Sequence, residues 1–366
     1  MSDLKYKIAL TFLTGIGDIW AKNLIGYCGS AEAMFKEKKG KLMKVPGIGS
    51  VNARAIFDSK DQALERAQLE LEFINKYNIQ PLFFTEENYP NRLKHCADSP
   101  ILLYYKGKAD LNASKIISVV GTRNATEYGK NFCKTLIEEL SEQNVLIVSG
   151  LAYGIDICAH KSSLENTLET VGVLAHGLDR IYPALHKSTA EKMVKQGGLL
   201  TDFPSQTNPD RENFPKRNRI IAGMSDAVIV IETAKKGGAV ITAEIANSYN
   251  RDVFALPGNI AWKYSEGCNF LIKTHKANVI ESAKDVAYVL GWEQSKTKPQ
   301  KQKRIFVDLN KKEKAVIDVL NGNNKVGIDS IAVQSKLPMS QTASILLSLE
   351  MVGMVKAFPG KVYELN

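Results

Sequence analysis

Between residues 115 and 291, five short apolar runs alternate with stretches of helical period. The runs cover residues 116–120, 145–148, 170–174, 227–231 and 253–256. Strands that are apolar on both faces and separated by helices are typical of a parallel sheet covered on both sides. Residues 81–108 have the pattern of short strands and turns. The chain is therefore predicted to be of the α/β class, with a Rossmann-like domain over residues 79–292 whose ligands bind beyond the carboxyl ends of the strands.

A repeated motif precedes this region. Leu13-Thr14-Gly15-Ile16-Gly17 recurs as Val45-Pro46-Gly47-Ile48-Gly49, and a helical stretch follows each copy. The repeat predicts an N-terminal helical domain of helix-hairpin-helix (SAM-like) type over residues 1–78. Successive backbone N–H groups in such a turn suit a DNA phosphate. Packing of the two hairpins as a purely structural module explains the repeat equally well.

The C-terminal region begins with a polar stretch. Residues 293–305 are rich in Lys, Arg and Gln and are predicted to be a basic linker. Beyond it, helical periods over 310–321, 328–336 and 340–352 and a hairpin over 353–364, with a turn at Pro359-Gly360, predict a winged-helix domain over 306–366. The third helix contains no Lys or Arg, which favours contact with a protein or a weak accessory role over reading of DNA.

Composition narrows the class of protein. The chain has 366 residues with 44% hydrophobic and 24% charged side chains, and it has no apolar stretch of the ~18 residues that a membrane span needs. Five scattered cysteines without C-x-x-C spacing are interpreted as reduced thiols, so we expect a cytoplasmic protein without a metal site. The net charge of +9 favours a polyanionic partner.

Two loops of the predicted sheet are rich in anion-binding residue types. Gly121-Thr122-Arg123 follows the first strand, with Arg123 where a dinucleotide fingerprint requires glycine, and Ser149-Gly150 ends the second strand without the acidic residue that holds a ribose. Binding of NAD or FAD is therefore not expected. A glycine, a hydroxyl and an arginine fit a phosphate instead; the alternative is an arginine paired with a nearby carboxylate.

Two further segments contribute to the same predicted edge. Residues 213–223 contain Lys216, Arg217 and Arg219 close after Phe214, a combination that neutralises phosphates and offers a ring on which an unpaired base can stack. Phe214 lies in a predicted polar turn, which favours partial exposure over a place in the core. Residues 235–244 place Gly237 and Gly238 at a helix start beside two lysines. Several anion-binding loops are thus predicted at one edge of the sheet.

The sequence gives limited support for an enzymatic function. Asp156 and His160 are four residues apart at the start of a helix and could act as an acid–base pair, although a dipole interaction and local packing are the more ordinary explanations. The chain contains no G-x-x-x-x-G-K-[ST], G-x-S-x-G or H-E-x-x-H motif. We therefore expect a protein that is not an enzyme and carries no cofactor.

The ordered set of these motifs closely resembles the DNA processing protein A (DprA, or Smf) family over essentially the full length. Ala239 departs from the leucine that commonly follows the glycine pair. The residues that carry the resemblance are Tyr89-Pro90, Pro100–Tyr104 with Gly107, Gly121–Arg123, Ser149–Asp156 with Ala159-His160, Asn213–Ala222, and Gly237-Gly238 through Thr242–Glu244.

The resemblance implies an extended Rossmann domain that binds single-stranded DNA in a basic pocket. It also implies a homodimer formed through that domain, protection of incoming DNA, and loading of the recombinase RecA in natural transformation and recombination. Arg123, Lys216, Arg217 and Arg219 would contact phosphates and Phe214 a base. The full set of DNA-binding residues implied is Gly121, Thr122, Arg123, Ser149, Gly150, Phe214, Lys216, Arg217, Asn218, Arg219, Gly237, Gly238 and Thr242.

One rival hypothesis comes from a different class. A nucleotide-processing hydrolase of the Rossmann-like phosphoribohydrolase kind has a similar glycine-pair loop before a helix. It would use a carboxylate such as Glu244 or Asp156 against a ribose. A pure scaffold, binding DNA only through its charge, is a weaker third hypothesis.

Overall fold

The computed structural model describes residues 3–292, 309–321, 325–358 and 360–365. The chain divides into two compact units, Met1–Glu293 and Gln294–Asn366. The predicted linker over 293–305 lies outside the described residues. The predicted boundary at residue 78 falls in the turn between the last helix of the helical region and the first strand, and both regions belong to the first unit.

The first unit contains thirteen described helices and nine strands. Its helices are α1 Asp3–Leu10, α2 Asp18–Cys28, α3 Ala31–Lys36, α4 Lys39–Leu42, α5 Ser50–Tyr77, α6 Asn91–Lys94, α7 Glu127–Ser141, α8 Ile155–Glu165, α9 Lys187–Gln196, α10 Asn213–Met224, α11 Gly238–Ser248, α12 Glu266–Lys273 and α13 Ala283–Val289. Its strands are β1 Gln80–Phe83, β2 Leu102–Gly107, β3 Ile116–Gly121, β4 Leu146–Ser149, β5 Thr170–Val173, β6 Gly198–Thr201, β7 Ala227–Ile231, β8 Asp252–Ala255 and β9 Asn278–Val279.

The nine strands form one sheet in the order β1-β2-β6-β5-β4-β3-β7-β8-β9. Strands β3 to β9 pair in parallel, whereas β2 runs antiparallel to β6 and β1 antiparallel to β2. All five strands predicted from the apolar runs are present, and the Rossmann-like parallel sheet is confirmed. The sequence prediction missed β6, which pairs with both β5 and β2 and joins the parallel strands to the two antiparallel ones.

The apolar strands are buried on both sides because helices cover both faces of the sheet. In β3, Ile117 and Val119 pack in a core cluster with residues of α7 and α8, while Ile116 and Val120 pack in a second cluster with residues of α10 and α11. This alternation is the two-residue period of a strand between two apolar layers. The two cores fix the carboxyl ends of the central strands, where the candidate site lies.

In the helical region, the two copies of the repeated motif have the same backbone conformation. Gly15 and Gly47 have φ values of 74° and 82°, and Gly17 and Gly49 are the extended N-cap residues of α2 and α5. A side chain at Gly47 would lie 1.9 Å from the Trp20 ring, so the first hairpin covers the turn of the second. This contact is a packing role for the second turn, whereas nothing lies within 4 Å of a side chain placed at Gly15.

The second unit is a winged helix, as predicted. Its described helices α14 Lys311–Leu320, α15 Ile328–Ser335 and α16 Met339–Met351 pack beside the strands β10 Val326–Gly327, β11 Val355–Phe358 and β12 Val362–Leu365, in the sheet order β10-β12-β11. The predicted turn at Pro359-Gly360 includes residue 359, which lies outside the described residues. On α16, Leu347 and Met351 are exposed.

All five cysteines are free thiols, and Cys96, Cys133 and Cys268 are buried. Among the described residues, no three His, Cys, Asp or Glu side chains are placed to hold a metal ion together. Of the helices in the described ranges, none combines the length and the apolar character that a membrane crossing requires.

Candidate functional site

The candidate site lies where the chain changes direction across the sheet. From β3 the chain continues through β4 and β5 on one side, while β7 and β8 lie on the other side of β3. The loops at the carboxyl ends of β3 and β7 therefore diverge and leave a cleft, which is where sheets of this kind bind ligands. A cavity of about 440 Å³ occupies it, with a lining that includes Gly121, Thr122, Arg123, Asn124, Asp156, Phe214, Arg217, Asn218, Gly237, Gly238, Thr242, Lys263 and Tyr264.

The loop after β3 is packed too closely for larger residues. A side chain at Gly121 would lie 2.1 Å from the carbonyl oxygen of Ile231 and 2.5 Å from Ile155. The N–H of Thr122 donates to the carbonyl of Glu232 at 2.7 Å, and its own carbonyl accepts from the N–H of Ile155 at 3.2 Å. These bonds fix the backbone and leave the Arg123 side chain exposed at the mouth of the cavity.

The helix that follows this loop already holds a negative charge. The carboxylate of Glu232 accepts from the backbone N–H of Thr126 at 2.8 Å and from its hydroxyl. Glu232 is buried at the end of β7, and a side chain at Gly129 would clash with its carboxylate. Because a carboxylate occupies the positive end of α7, this helix start is not open to a ligand phosphate.

The start of α11 is open by contrast. Its N-cap, Gly237, has no capping side chain, and nothing lies within 4 Å of a side chain placed at Gly238. Unpaired N–H groups at the positive end of an 11-residue helix attract an anion. Thr242 is buried, and its hydroxyl donates to the Gly238 carbonyl at 3.2 Å, so it stabilises the turn that forms this surface.

An aromatic ring with two cations stands beside this helix start. Phe214 is in the first turn of α10 and not in the polar turn that the sequence predicted; it is half-buried. The guanidinium of Arg123 lies 5.2 Å from the centre of its ring, and that of Arg217 lies 5.9 Å away. The structure therefore brings together the loop after β3 and the residues of α10, which are more than 90 positions apart in the sequence.

Arg217 is a buried cation at the bottom of the cavity, only 4% exposed. Its guanidinium donates to the carbonyl of Val173 and lies against Gly150, where a side chain would come within 2.1 Å of it. Burial lowers the pKa of Arg217 to about 10, and the neighbouring Asp156 opposes that shift. Burial likewise raises the pKa of Asp156, which Arg217 counteracts. Arg217 therefore carries its positive charge at neutral pH, with the carboxyl group of Asp156 as its neighbour.

Arg219 has a different placement from the one the sequence suggested. Its guanidinium forms ion pairs of 2.9 Å with Asp18 of α2 and with Asp202, and it also donates to the carbonyl of Asp98. These partners join the helical region to the sheet, and Arg219 is not among the residues that line the cavity. The expectation that Arg219 faces a DNA phosphate is therefore replaced by a structural assignment, because two carboxylates already neutralise it.

The remaining predicted residues divide between surface and core. Lys216 is exposed in the first turn of α10, beside the cavity but outside its lining, and Asn218 contributes to the lining. Ser149 is fully buried and its hydroxyl donates to the carbonyl of Val119 at 2.6 Å. Ser149 thus faces the core of the sheet and not the cavity.

The loop after β8 supplies two residues that the sequence analysis missed. Lys263 and Tyr264 line the cavity, and the hydroxyl of Tyr264 accepts from the side-chain amide of Asn124 at 3.0 Å. A lysine next to an aromatic residue, after a predicted strand, is the same signal that identified Phe214 and Lys216. That signal is present in the sequence at Lys263-Tyr264.

The residues suggested for catalysis have separate partners. His160 is buried with its Nδ1 2.7 Å from the hydroxyl of Thr170, while Asp156 accepts from the N–H of Ala152 at 3.4 Å. Glu244 is exposed on α11, pairs with Lys276 at 2.9 Å and is outside the cavity lining. These contacts support the structural explanation of Asp156 and His160 and give Glu244 an ion pair on the surface.

A structural role for His160 predicts a specific pH dependence. Burial lowers the pKa of His160 from 6.5 to about 3, so the folded protein resists its protonation and loses stability as the pH falls between those values. Over that pH range the free energy of unfolding of His160→Leu is expected to fall less than that of the wild type. The difference is on the order of several kcal/mol. Urea denaturation at a series of pH values measures it. His95→Leu, which alters an exposed histidine, is the control; equal pH dependence of the two variants would contradict the assignment.

Comparison with known proteins gives consistent matches. The family model described as DNA recombination-mediator protein A matches residues 80–291, and the model described as DprA winged helix domain matches residues 300–361. Protein Smf from Synechocystis is 31% identical over 397 residues, with 99% of each chain covered.

Two solved structures share the fold. DNA processing protein A from Streptococcus pneumoniae aligns with a TM-score of 0.67 at 30% identity, covering 79% of this chain and 98% of the other. DNA processing protein A from Helicobacter pylori, whose structure describes a single-stranded DNA binding mode, aligns with a TM-score of 0.54 at 28% identity, covering 59% of this chain and 97% of the other.

Proposed function

The chain belongs to the DNA recombination-mediator protein A family, and from that premise we propose that it binds single-stranded DNA in the cavity between β3 and β7. The observation that carries the proposal is the convergence, in one cavity, of an uncapped helix start, an exposed arginine and a half-buried phenylalanine. The DNA-binding mode described for the Helicobacter pylori relative supports the same ligand.

The start of α11 and the Arg123 side chain suit adjacent phosphates. The free N–H groups at Gly238 offer fixed donors, and Arg123 forms no ion pair within the described residues, so its planar guanidinium is available for two parallel hydrogen bonds to a phosphate. Lys216, which is also exposed and unpaired there, adds a second mobile charge at the mouth. These contacts hold the backbone of a strand irrespective of its sequence.

Phe214 suits an unpaired base. Its ring is partly open to the cavity, and stacking of a base on such a ring contributes about 1–3 kcal/mol. Arg217 does not contact solvent enough to pair with a mobile phosphate. Instead its guanidinium lies 5.9 Å from the centre of the Phe214 ring and donates to the carbonyl of Val173, so it is a fixed neighbour of that ring. A duplex keeps its bases stacked inside, so the arrangement favours a single strand.

Titration of fluorescent oligonucleotides tests the proposal. Single strands are expected to bind more tightly than a duplex of the same length, and the logarithm of the affinity should fall linearly with that of salt, by about 0.7 for each phosphate contact. Poly-glutamate of similar charge is the control for binding by charge alone. Equal affinity for duplex and single strand would contradict a base-stacking site and leave only the scaffold hypothesis.

Several finer functions follow from the same family membership. We propose that the chain acts in the cytoplasm, protects incoming single strands and helps to load a RecA-type recombinase during transformation and recombination. Exposed Leu347 and Met351 on α16, a helix without Lys or Arg, support contact with a protein partner. Strand exchange by the recombinase on DNA coated with single-strand-binding protein, with and without this chain, tests that role.

A homodimer through the α/β domain is also proposed. Three of the exposed apolar side chains that the structure describes in this domain support it, since a second copy would remove them from water: Ile260, Val279 and Tyr288. Light scattering at several concentrations measures the mass in solution. Tyr288→Asp should shift the protein toward the monomer; an unchanged mass would argue against burial of Tyr288 between two copies.

A further inference from the structure

Two tyrosines on neighbouring loops extend the aromatic surface beyond the cavity. Tyr182 lies after β5 and is 45% exposed, and Tyr153 lies after β4 and is 44% exposed. Because β4 and β5 are adjacent parallel strands, their carboxyl-end loops lie on the edge that holds the cavity. Neither tyrosine is among the residues that line the cavity.

Tyr182 continues directly from the ring inside the cavity. Its ring centre lies 6.2 Å from that of Phe214, with the planes tilted by 59°. Phe214 in turn lies beside Arg123. A nucleotide strand that places one base on Phe214 therefore reaches Tyr182 with a neighbouring nucleotide.

Tyr153 is held in a fixed orientation near the same segment. Its ring meets that of His186 edge to face, with 4.9 Å between centres and 70° between planes. His186 is buried with its Nδ1 2.8 Å from the carbonyl oxygen of Leu151, so it is a rigid support. His186 follows Tyr182 by four residues, in the 3₁₀ turn Ala184–His186. Both tyrosines therefore lie beside the segment that contains His186.

Two exposed lysines follow the aromatic residues of this region in the sequence. Lys216 is exposed two residues after Phe214, and Lys187 is exposed directly after His186. Neither lysine forms an ion pair within the described residues. Half-exposed rings interleaved with free cations are the composition of a groove that stacks bases without reading their sequence.

We propose that Tyr182 and Tyr153 form a second base-binding subsite, on which unpaired bases of the strand stack as it leaves the cavity. This inference rests on the proposed function of the cavity. It assigns to the two tyrosines the bases next to the one held by Phe214. Lys187 and Lys216 hold the intervening phosphates.

Abasic oligonucleotides test the subsite without altering the protein. A strand long enough to extend beyond the cavity is titrated against the wild-type protein, with abasic nucleotides introduced one position at a time. Removal of a base from the subsite is expected to lower affinity by roughly five- to 150-fold, which is about 1–3 kcal/mol per stacked base. Sensitivity confined to the position of Phe214 would overturn the inference.

The matched variants are Tyr182→Leu, Tyr153→Leu and the double variant, with Tyr77→Leu at the end of α5 as the control, since Tyr77 is 44% exposed and outside the cavity lining. Tyr182→Leu is expected to weaken binding of long strands by the same factor, to leave the shortest strands unaffected, and to remove the penalty of the abasic nucleotide at its position. The salt dependence should not change, since no phosphate contact is lost. Light scattering on the same samples separates this result from a change in oligomeric state.

The outcomes distinguish this inference from the proposed function. If charge reversal at Arg123 and Lys216 abolishes binding while Tyr182→Leu binds every strand as the wild type does, the cavity stands and the second subsite is wrong. If charge reversal leaves binding intact, the cavity itself is wrong and the inference fails with it. If Tyr182→Leu weakens the binding of long strands only, and the abasic nucleotide at its position causes no further loss in this variant, the cavity and the second subsite are both supported.

Discussion

A variant with Arg123→Glu and Lys216→Glu is expected to bind single-stranded DNA about a hundredfold or more weakly than the wild type, since a hydrogen bond to a charged group contributes about 1.5–3 kcal/mol. Both side chains are exposed and lack ion-pair partners within the described residues, so their removal costs little stability. The new carboxylates additionally repel the strand from the start of α11. Fluorescence anisotropy at several salt concentrations measures the loss, which should come with a smaller salt dependence.

The matched control reverses charge elsewhere on the same domain. Lys284 is exposed on α13, outside the cavity lining, and Lys134 is exposed on α7. A variant with Lys284→Glu and Lys134→Glu has the same net charge as the test variant. It is expected to bind nearly as the wild type does, with only the small loss that long-range electrostatics causes. Equal losses in the two variants would show that net charge and not this cavity governs binding.

Arg219→Leu is expected to destabilise the protein by about 3–5 kcal/mol, because it leaves a largely buried carboxylate without its cation. Burial already raises the pKa of Asp202, and Arg219 is the main group that opposes this shift. The Oδ1 atom of Asp202 has no hydrogen-bond partner within the described residues. The same substitution breaks the pair with Asp18, which ties α2 to the sheet. Urea denaturation at neutral pH measures the change.

The loss of stability in Arg219→Leu is expected to depend on pH. Without Arg219 the pKa of Asp202 rises further, so its protonated form is favoured in the folded state. The destabilisation should therefore shrink as the pH falls and Asp202 becomes neutral. Adding Asp202→Asn to Arg219→Leu should restore part of the stability at neutral pH for the same reason.

Arg180→Leu is the control for Arg219→Leu. Arg180 pairs with Asp179 at 2.8 Å but is 40% exposed, and surface pairs of this kind contribute only about 0–1 kcal/mol. A loss in Arg219→Leu no larger than in Arg180→Leu would contradict the structural assignment. Any folded Arg219→Leu protein should keep its DNA affinity, whereas a role of Arg219 in phosphate binding requires a loss.

The positions of the close-packed glycines were predictable from the sequence, whereas strand β6 was not. Gly121 and Gly237 were predicted from the sequence to let the backbone approach an anion, and Gly150 was implied by the family resemblance; each has a neighbour within 2.3 Å of the position a side chain would take. Strand β6 escaped prediction because Gly198 gives a weak strand signal. That glycine is required by the ring of Tyr105, which would lie 2.3 Å from its side chain.

The cations of α10 show why the candidate site was only partly predictable. Lys216, Arg217 and Arg219 appear equivalent in the sequence, where they were placed in a turn. Successive residues of a helix point about 100° apart, so three cations within four residues face different surroundings. One is exposed, one is buried beneath the cavity, and one joins two carboxylates between the helical region and the sheet.

The sequence by itself determined the parallel sheet, the repeated hairpins, the winged helix and the set of loops from which the site is built, because hydrophobic period and glycine turns are local properties of the chain. Only the tertiary structure decided which helix start is open. Glu232 closes the start of α7 from a distance of 106 residues, while the start of α11 has no capping side chain. Residues this far apart in the sequence come into contact only when the chain folds. A local sequence pattern therefore cannot predict which charge lies at which helix start.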